Sequence, residues 1–277
     1  MLIRSKKRWE LPDRAATDES VFLNRRALMK GALALGAAGT GLGVSTQPSH
    51  ALLGLFGGDD EDNQVPFTVE GDPTADLYPA FMNPSYTNAG RPLTEEMQAA
   101  TYNNFYEFGS HKGIWRAAQS LQTRPWNVIF DGMVEEERTV DIATLIRAMQ
   151  LEERVYRHRC VEAWAMTVPW TGFPMRDLVA YARPLSSAKY VVMETFNDPD
   201  MASGQRQSWY SWPYTEGLTM EEANHDLAFM VTGAYGKPLA KQYGAPMRLA
   251  VPWKYGFKSV KSLVRFTFTD QRPLTFW

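Results

Sequence analysis

Cys160 is the only cysteine in 277 residues, and it stands in YRHRCVEAW at 156–164, preceded by Arg157, His158 and Arg159 and followed two residues later by Glu162. One cysteine cannot close an internal disulfide, so its thiol is free, joined to another chain or occupied. Nearby cations favour the thiolate, the form that attacks electrophiles and binds metals. If this stretch is a strand, Arg157 and Arg159 share one face while His158 and Cys160 share the other, so the arginine charges need not touch the sulfur. The plain alternative is a buried, inert cysteine that behaves as a small apolar residue. A thiol enzyme using Cys160 with a histidine has weak support, because no nucleophile elbow or cysteine-hydrolase signature surrounds it.

The front of the chain supplies the compartment. Arg25 and Arg26 in FLNRRALMKG precede a mildly apolar run of 14 residues, Gly31 to Val44, and Ser49 and Ala51 offer the small residues of a processing site after Ala51. A membrane-crossing helix needs roughly 20 apolar residues, so residues 1–51 read as a cleavable export signal of twin-arginine type. Removing them takes 8 basic and 4 acidic residues and leaves 21 and 27, a net charge of −6. That balance speaks against nucleic acid and against an anionic membrane surface as partners. The twin-arginine route carries proteins already folded, commonly with a cofactor in place. A lone thiolate sent into an oxidising compartment is best protected by a soft-acceptor metal.

The elements that must position this cysteine follow from periodicity. Residues 52–92, rich in Gly, Pro, Asn and Asp, read as an irregular lead-in to a domain at 93–277. Thr94 reads as the cap of a short helix ending near YNNFYEFG, and WNVIF at 126–130 as a strand closed by Asp131–Gly132. Asp141 caps a helix with Ile142, Leu145, Ile146 and Met149 on one face. VYRHRC is a strand, Pro174 opens a helix, KYVVMETF (189–196) and LAFMVT (227–232) are strands, and Thr219 with Glu222 forms a capping box. In the tail, Val264, Phe266 and Phe268 alternate with Arg265, Thr267 and Thr269 as a half-buried strand does. Short strands mixed with short helices, without a βαβ rhythm, predict a β-rich α+β domain.

Five stretches in order then resemble one family: YNNFYEFG (102–109), YRHRCVEAWAMTVPWTGF (156–173), VVMETFNDP (191–199), PYTEGLTMEEA (213–223) and GAPMRLAVPWKYGFKSVKS (244–262). They are similar to the catalytic subunit of periplasmic protein-methionine-sulfoxide reductase systems, molybdopterin enzymes of the sulfite oxidase superfamily. The resemblance implies the single-domain molybdopterin-binding fold of that superfamily, with Cys160 as ligand to one molybdenum. It further implies cofactor contacts from Asn103, Tyr106, Glu107, Thr195, Arg248, Ser259, Val260 and Lys261. Arg248 and Lys261 carry the charge a pterin phosphate needs, and Ser259 and Val260 offer backbone N–H groups. Glu162 is the candidate for proton delivery, its alternative being an ion pair with a neighbouring arginine. The implied reaction is reduction of methionine sulfoxide in exported proteins, fed by a membrane haem subunit, since no haem or iron–sulfur motif is present. The same fold also serves sulfite oxidation and other S- or N-oxide chemistry; an exported thiol enzyme or binding domain is the alternative of another class. Two departures stand out: Tyr243 occupies a position where the family has asparagine, and relatives run several tens of residues past the position of Trp277, so a bare core edge is expected there.

Overall fold

Two kinds of strand sequence build two sheets in the computed structural model, which describes residues 64–277; the expected export signal, its processing site and the first residues of the lead-in lie outside the described residues. The first kind, at the centre of its sheet, is largely apolar. FMVTGA, strand β8 (Phe229–Ala234), is buried at every position because it is central and covered on both faces. It pairs antiparallel with β5 (Ala165–Pro174), with β10 (Arg248–Ala250) and with β9 (Lys237–Pro238). Beyond β5 lie β4 (Glu152–Arg159), antiparallel to it, and the short β1 (Phe81–Met82), parallel to β4.

The second kind alternates. β2 (Asn127–Gly132), β3 (Arg138–Asp141), β6 (Tyr190–Thr195), β7 (Thr215–Thr219) and β11 (Leu263–Thr269) form a five-stranded sheet in the order β3-β2-β11-β6-β7, with β2 and β11 parallel and every other pair antiparallel. Phe266 and Phe268 are buried as the tail's alternation predicts, and Phe266 stacks on Phe130 at 5.5 Å. A bulge between Leu263 and Arg265 breaks the period, so Leu263 is buried while Val264 is only partly so.

One core joins the sheets. It gathers Phe130, Met193 and Phe266 from the five-stranded sheet with Phe173, Met230 and Leu249 from the other. Residues next in sequence, Phe229, Val231 and Ala250, enter a second core with Tyr156, Val168 and Trp170. Adjacent residues feed opposite cores, so the six-stranded sheet is sandwiched. Each fully buried Phe, Leu or Val contributes roughly 1.5–3 kcal/mol.

Four α-helices lie among the described residues: α1 (Glu96–Thr101), α2 (Ile142–Arg147), α3 (Met175–Ala182) and α4 (Met220–Ala223). Asp141 caps α2 through Thr144, and the Thr219–Glu222 box has both its bonds. Thr94 does not cap α1. Its hydroxyl accepts the Thr167 N–H at 3.0 Å, tying the segment to β5, and Glu95 takes the cap position. The longest strand, β5, has no counterpart in the periodicity, because Pro169 and Gly172 interrupt an otherwise apolar run. The expected bare edge is absent at β7. The Phe276 N–H donates to the Thr215 carbonyl at 2.8 Å, and Pro273 packs over Gly217. None of the helices among the described residues is long and apolar enough to cross a membrane.

Candidate active site

The β4–β5 hairpin decides where Cys160 sits. β4 stops at Arg159, and the connection closes on itself: the Cys160 N–H donates to the Trp164 carbonyl, the Ala163 N–H to the Cys160 carbonyl, and Ala163 takes φ +67°. Cys160 therefore stands just past the strand, at the base of a tight turn, with its side chain facing a cavity of about 410 Å³. The predicted facing holds. His158 and Cys160 line this cavity, whereas Arg159 turns away to donate to the Pro252 carbonyl.

Three other segments complete the wall. Residues 102–107 enter after α1, where the Asn103 side chain donates to the Ala99 carbonyl and its N–H to the Lys112 carbonyl, while Phe105 and Phe108 anchor the segment in the core. β10 supplies Arg248, and the following loop supplies Gly256, Phe257, Ser259, Val260 and Lys261. Gly256 leaves room for His158: a Cβ there would lie 2.5 Å from His158 Nε2, and the imidazole would have to move. Aromatic residues Tyr102, Trp164, Trp170, Tyr214 and Trp277 fill the remaining wall.

The electrostatics divide this cavity. Arg248, 4% exposed, donates three N–H groups to the carbonyls of Leu249, Tyr243 and Ser259, and Lys261 donates to the Gln242 carbonyl. Neither has a carboxylate in salt-bridge contact among the described residues, and burial lowers the pKa of both, Arg248 to about 10. Together with its own burial they push His158 down to about 3, leaving it neutral. Burial drives Glu107 up to about 7, against the opposing pull of Lys261 and of the Thr195 hydroxyl. At the cysteine the pattern differs. Burial and the Glu162 carboxylate raise the Cys160 pKa, so the thiol by itself is protonated. Glu162 Oε2 receives Trp164 Nε1 at 2.8 Å, Asn104 Nδ2 at 3.2 Å and Lys112 Nζ at 2.5 Å, and these bonds, that of Lys112 first, hold its carboxyl at about 2.

Of the residues expected from the sequence, Asn103, Tyr106, Glu107, Cys160, Glu162, Arg248, Ser259, Val260 and Lys261 all line the cavity. Thr195 does not. It is buried behind the wall, with its hydroxyl on the Ser262 carbonyl and the Glu107 carboxyl, because β6 presents that side to the core. The Ser259 N–H is engaged by the Gly256 carbonyl, so it is not open to a phosphate. Glu162 pairs with Lys112, not with an arginine, and reaches Cys160 through the turn, not along a strand. Ionised at neutral pH, it can take up a proton and pass it on. Asn104, Trp164, Trp170 and Tyr214 lie in the resembling stretches without having been singled out, whereas Lys112 lies outside them and is brought beside Asn104 and Glu162 by packing.

Residues 116–277 match the family described as the oxidoreductase molybdopterin binding domain. The chain belongs to that family. As a molybdopterin-binding oxidoreductase it carries molybdopterin with molybdenum, and its β-rich α+β fold is the one expected of the sulfite oxidase type. Asn103, Tyr106 and Glu107 precede the matched residues. Among solved structures the chain is similar to the sulfane dehydrogenase SoxCD from Paracoccus pantotrophus, at 15% identity and a TM-score of 0.48, over 66% of this chain and 54% of that one. The chain thus spans about half the length of that structure.

The residues present fit such a cofactor. Arg248 and Lys261, two basic side chains beside one cavity and without a salt bridge among the described residues, suit the phosphate of a pterin. Asn103 Oδ1 is buried without a partner, an acceptor awaiting an N–H. Among the described residues no three His, Cys, Asp or Glu side chains converge as a metal cage. A metal held at Cys160 thus draws its other ligands from a cofactor.

Proposed function

We propose that the protein reduces methionine sulfoxide in exported proteins to methionine, as the repair enzyme of a periplasmic system fed by a membrane haem subunit. The supporting observation is the character of the cavity at Cys160. Its sulfur lies 3.7 Å from Glu162, which Lys112 neutralises, and Tyr102, Val161 and Trp164 line the same cavity. A neutral sulfoxide on a thioether side chain suits that surround, while anionic sulfite would meet the Glu162 carboxylate. The order of the five stretches resembling the reductase family supports the same reading. So does the twin-arginine leader at 1–51, which would export the folded, loaded domain of 93–277 behind the 52–92 lead-in.

The site residues take these roles. Cys160 is the metal ligand, and Asn103, Tyr106, Glu107, Arg248, Ser259, Val260 and Lys261 hold the pterin, with Thr195 acting through Glu107. Bound molybdopterin supplies a two-electron redox centre able to accept an oxygen atom from sulfur. Overall the S–O bond breaks, two electrons enter from the haem donor, and two protons leave with the oxygen as water. Beside Cys160, Glu162 is the proton-transfer group, held in place by Lys112.

Protein exported with its own leader and assayed after elemental analysis tests the reading. Expected are stoichiometric molybdenum and turnover of peptide methionine sulfoxide, with sulfite left unoxidised. Molybdenum-loaded protein that oxidises sulfite and ignores sulfoxides would overturn it.

A further inference from the structure

Asn104 lies beside Cys160, and which end of its amide faces the sulfur is set by a residue that touches neither cavity nor sulfur. The two ends of an amide are nearly alike in shape, so partners decide its orientation. Lys112 Nζ donates to Asn104 Oδ1 in a short contact, and an ammonium has only donors to give. Nδ2 is therefore turned the other way, 3.6 Å from Cys160 Sγ and 3.2 Å from Glu162 Oε2. The same ammonium reaches Glu162 Oε2 at 2.5 Å, and that oxygen lies 3.7 Å from the sulfur. Backbone bonds fix Lys112 itself: its carbonyl receives the Asn103 N–H at 2.9 Å, and Asn103 bridges Gly113 in parallel register.

A metal-bound cysteine is a thiolate, and two things must then hold around it. Its negative sulfur needs N–H donors, not amide oxygen, and the carboxylate beside it needs an opposing charge. Without Lys112 the Asn104 amide is free to turn its oxygen toward sulfur, and Glu162 faces the thiolate uncompensated.

We propose that Lys112 is a positioning residue for the metal-binding cysteine: it orients the Asn104 amide so that N–H faces Cys160 Sγ and neutralises Glu162 beside it. This rests on Cys160 being the molybdenum ligand. Loss of such an outer partner typically costs on the order of 10- to 100-fold in activity.

The test uses the loaded, exported enzyme and its Lys112→Met and Lys112→Arg variants. Resistance of wild-type Cys160 to iodoacetamide, together with stoichiometric molybdenum, first verifies the ligand assignment; free alkylation of the wild type would sink that assignment and this proposal with it. Given that control, Lys112→Met is expected to lower kcat about 10- to 100-fold with little change in KM, and to shift the electron paramagnetic resonance g-values of the molybdenum. Lys112→Arg, which keeps the charge and the donors, restores the wild-type spectrum, and thermal unfolding of all three proteins coincides. A Lys112→Met enzyme with wild-type g-values and kcat overturns the proposal while leaving Cys160 as ligand. Should Lys112→Met not fold, Lys112→Gln replaces it with the same expectation; if neither folds, Lys112 serves the fold and the proposal fails.

Discussion

Two residues of this cavity carry predictions of opposite kind. Among the described residues the Cys160 thiol has hydrogen-bond contacts to Asn104 and Glu162, at 3.6 and 3.7 Å. Cys160→Ser should therefore abolish sulfoxide reduction while changing unfolding free energy by no more than about 1 kcal/mol; full turnover in the variant would show the ligand to be misassigned. Glu107 is the reverse case, a group whose burial lifts its pKa from 4.5 to about 7. A raised folded-state value means that the fold prefers the neutral acid, so this contribution is fully present below the unfolded value and is lost as pH rises through about 7. The loss amounts to about 3 kcal/mol. In cofactor-free protein, urea unfolding between pH 4 and pH 8 should show wild type losing about that much relative to Glu107→Gln. Parallel pH profiles for the two proteins would refute it.

At the scale of elements, the cavity exists because short segments are pressed against each other where no side chain intervenes. Gly204 shows this most directly. Its N–H donates to the Glu107 carbonyl at 2.8 Å, and a Cβ at that position would lie 2.1 Å from the Tyr106 carbonyl oxygen. Gly204→Ala must therefore displace residues 103–107, at an overpacking cost of about 1–3 kcal/mol. The expected result is exported protein that is folded but depleted in molybdenum; undiminished metal content by elemental analysis would show that this segment tolerates the shift. The elements themselves were partly legible. α2, with its Asp141 cap and its Ile142, Leu145 and Ile146 stripe, and α4, with its box, follow from local bonds that hold in any context. β5 does not, because Pro169 and Gly172 are tolerated only where the β4 and β8 pairings and a bulge accommodate them.

Over the whole molecule, the C-terminal aromatic residues tie the edge of the five-stranded sheet to the cavity wall. Phe276 stacks on Tyr214 at 4.3 Å and on Tyr210 at 5.4 Å, while Trp277 Nε1 donates to Tyr214 Oη and its ring lines the cavity beside Tyr106. Phe276→Ala should lower unfolding free energy by about 2 kcal/mol, the stacking and half the burial of one ring. Chemical denaturation checks this, and an unchanged midpoint would mean that the tail is not a structural cover.

The residues of the candidate site were named through the resemblance of whole stretches, RCVEAW, NNFYE, APMR and KSVK among them, to one family; residue type alone left each of them open. Strand period two likewise placed His158 and Cys160 on one face before any tertiary contact was known. The tertiary structure decided the rest. It moved Thr195 behind the wall, engaged the Ser259 N–H elsewhere, and brought Lys112 and Asn104 from a distant turn to Glu162 and Cys160. Local spacing governs which face a side chain takes, but charge state and hydrogen-bond partner depend on what packs opposite, and here that partner comes from 50 to 58 residues away in the chain.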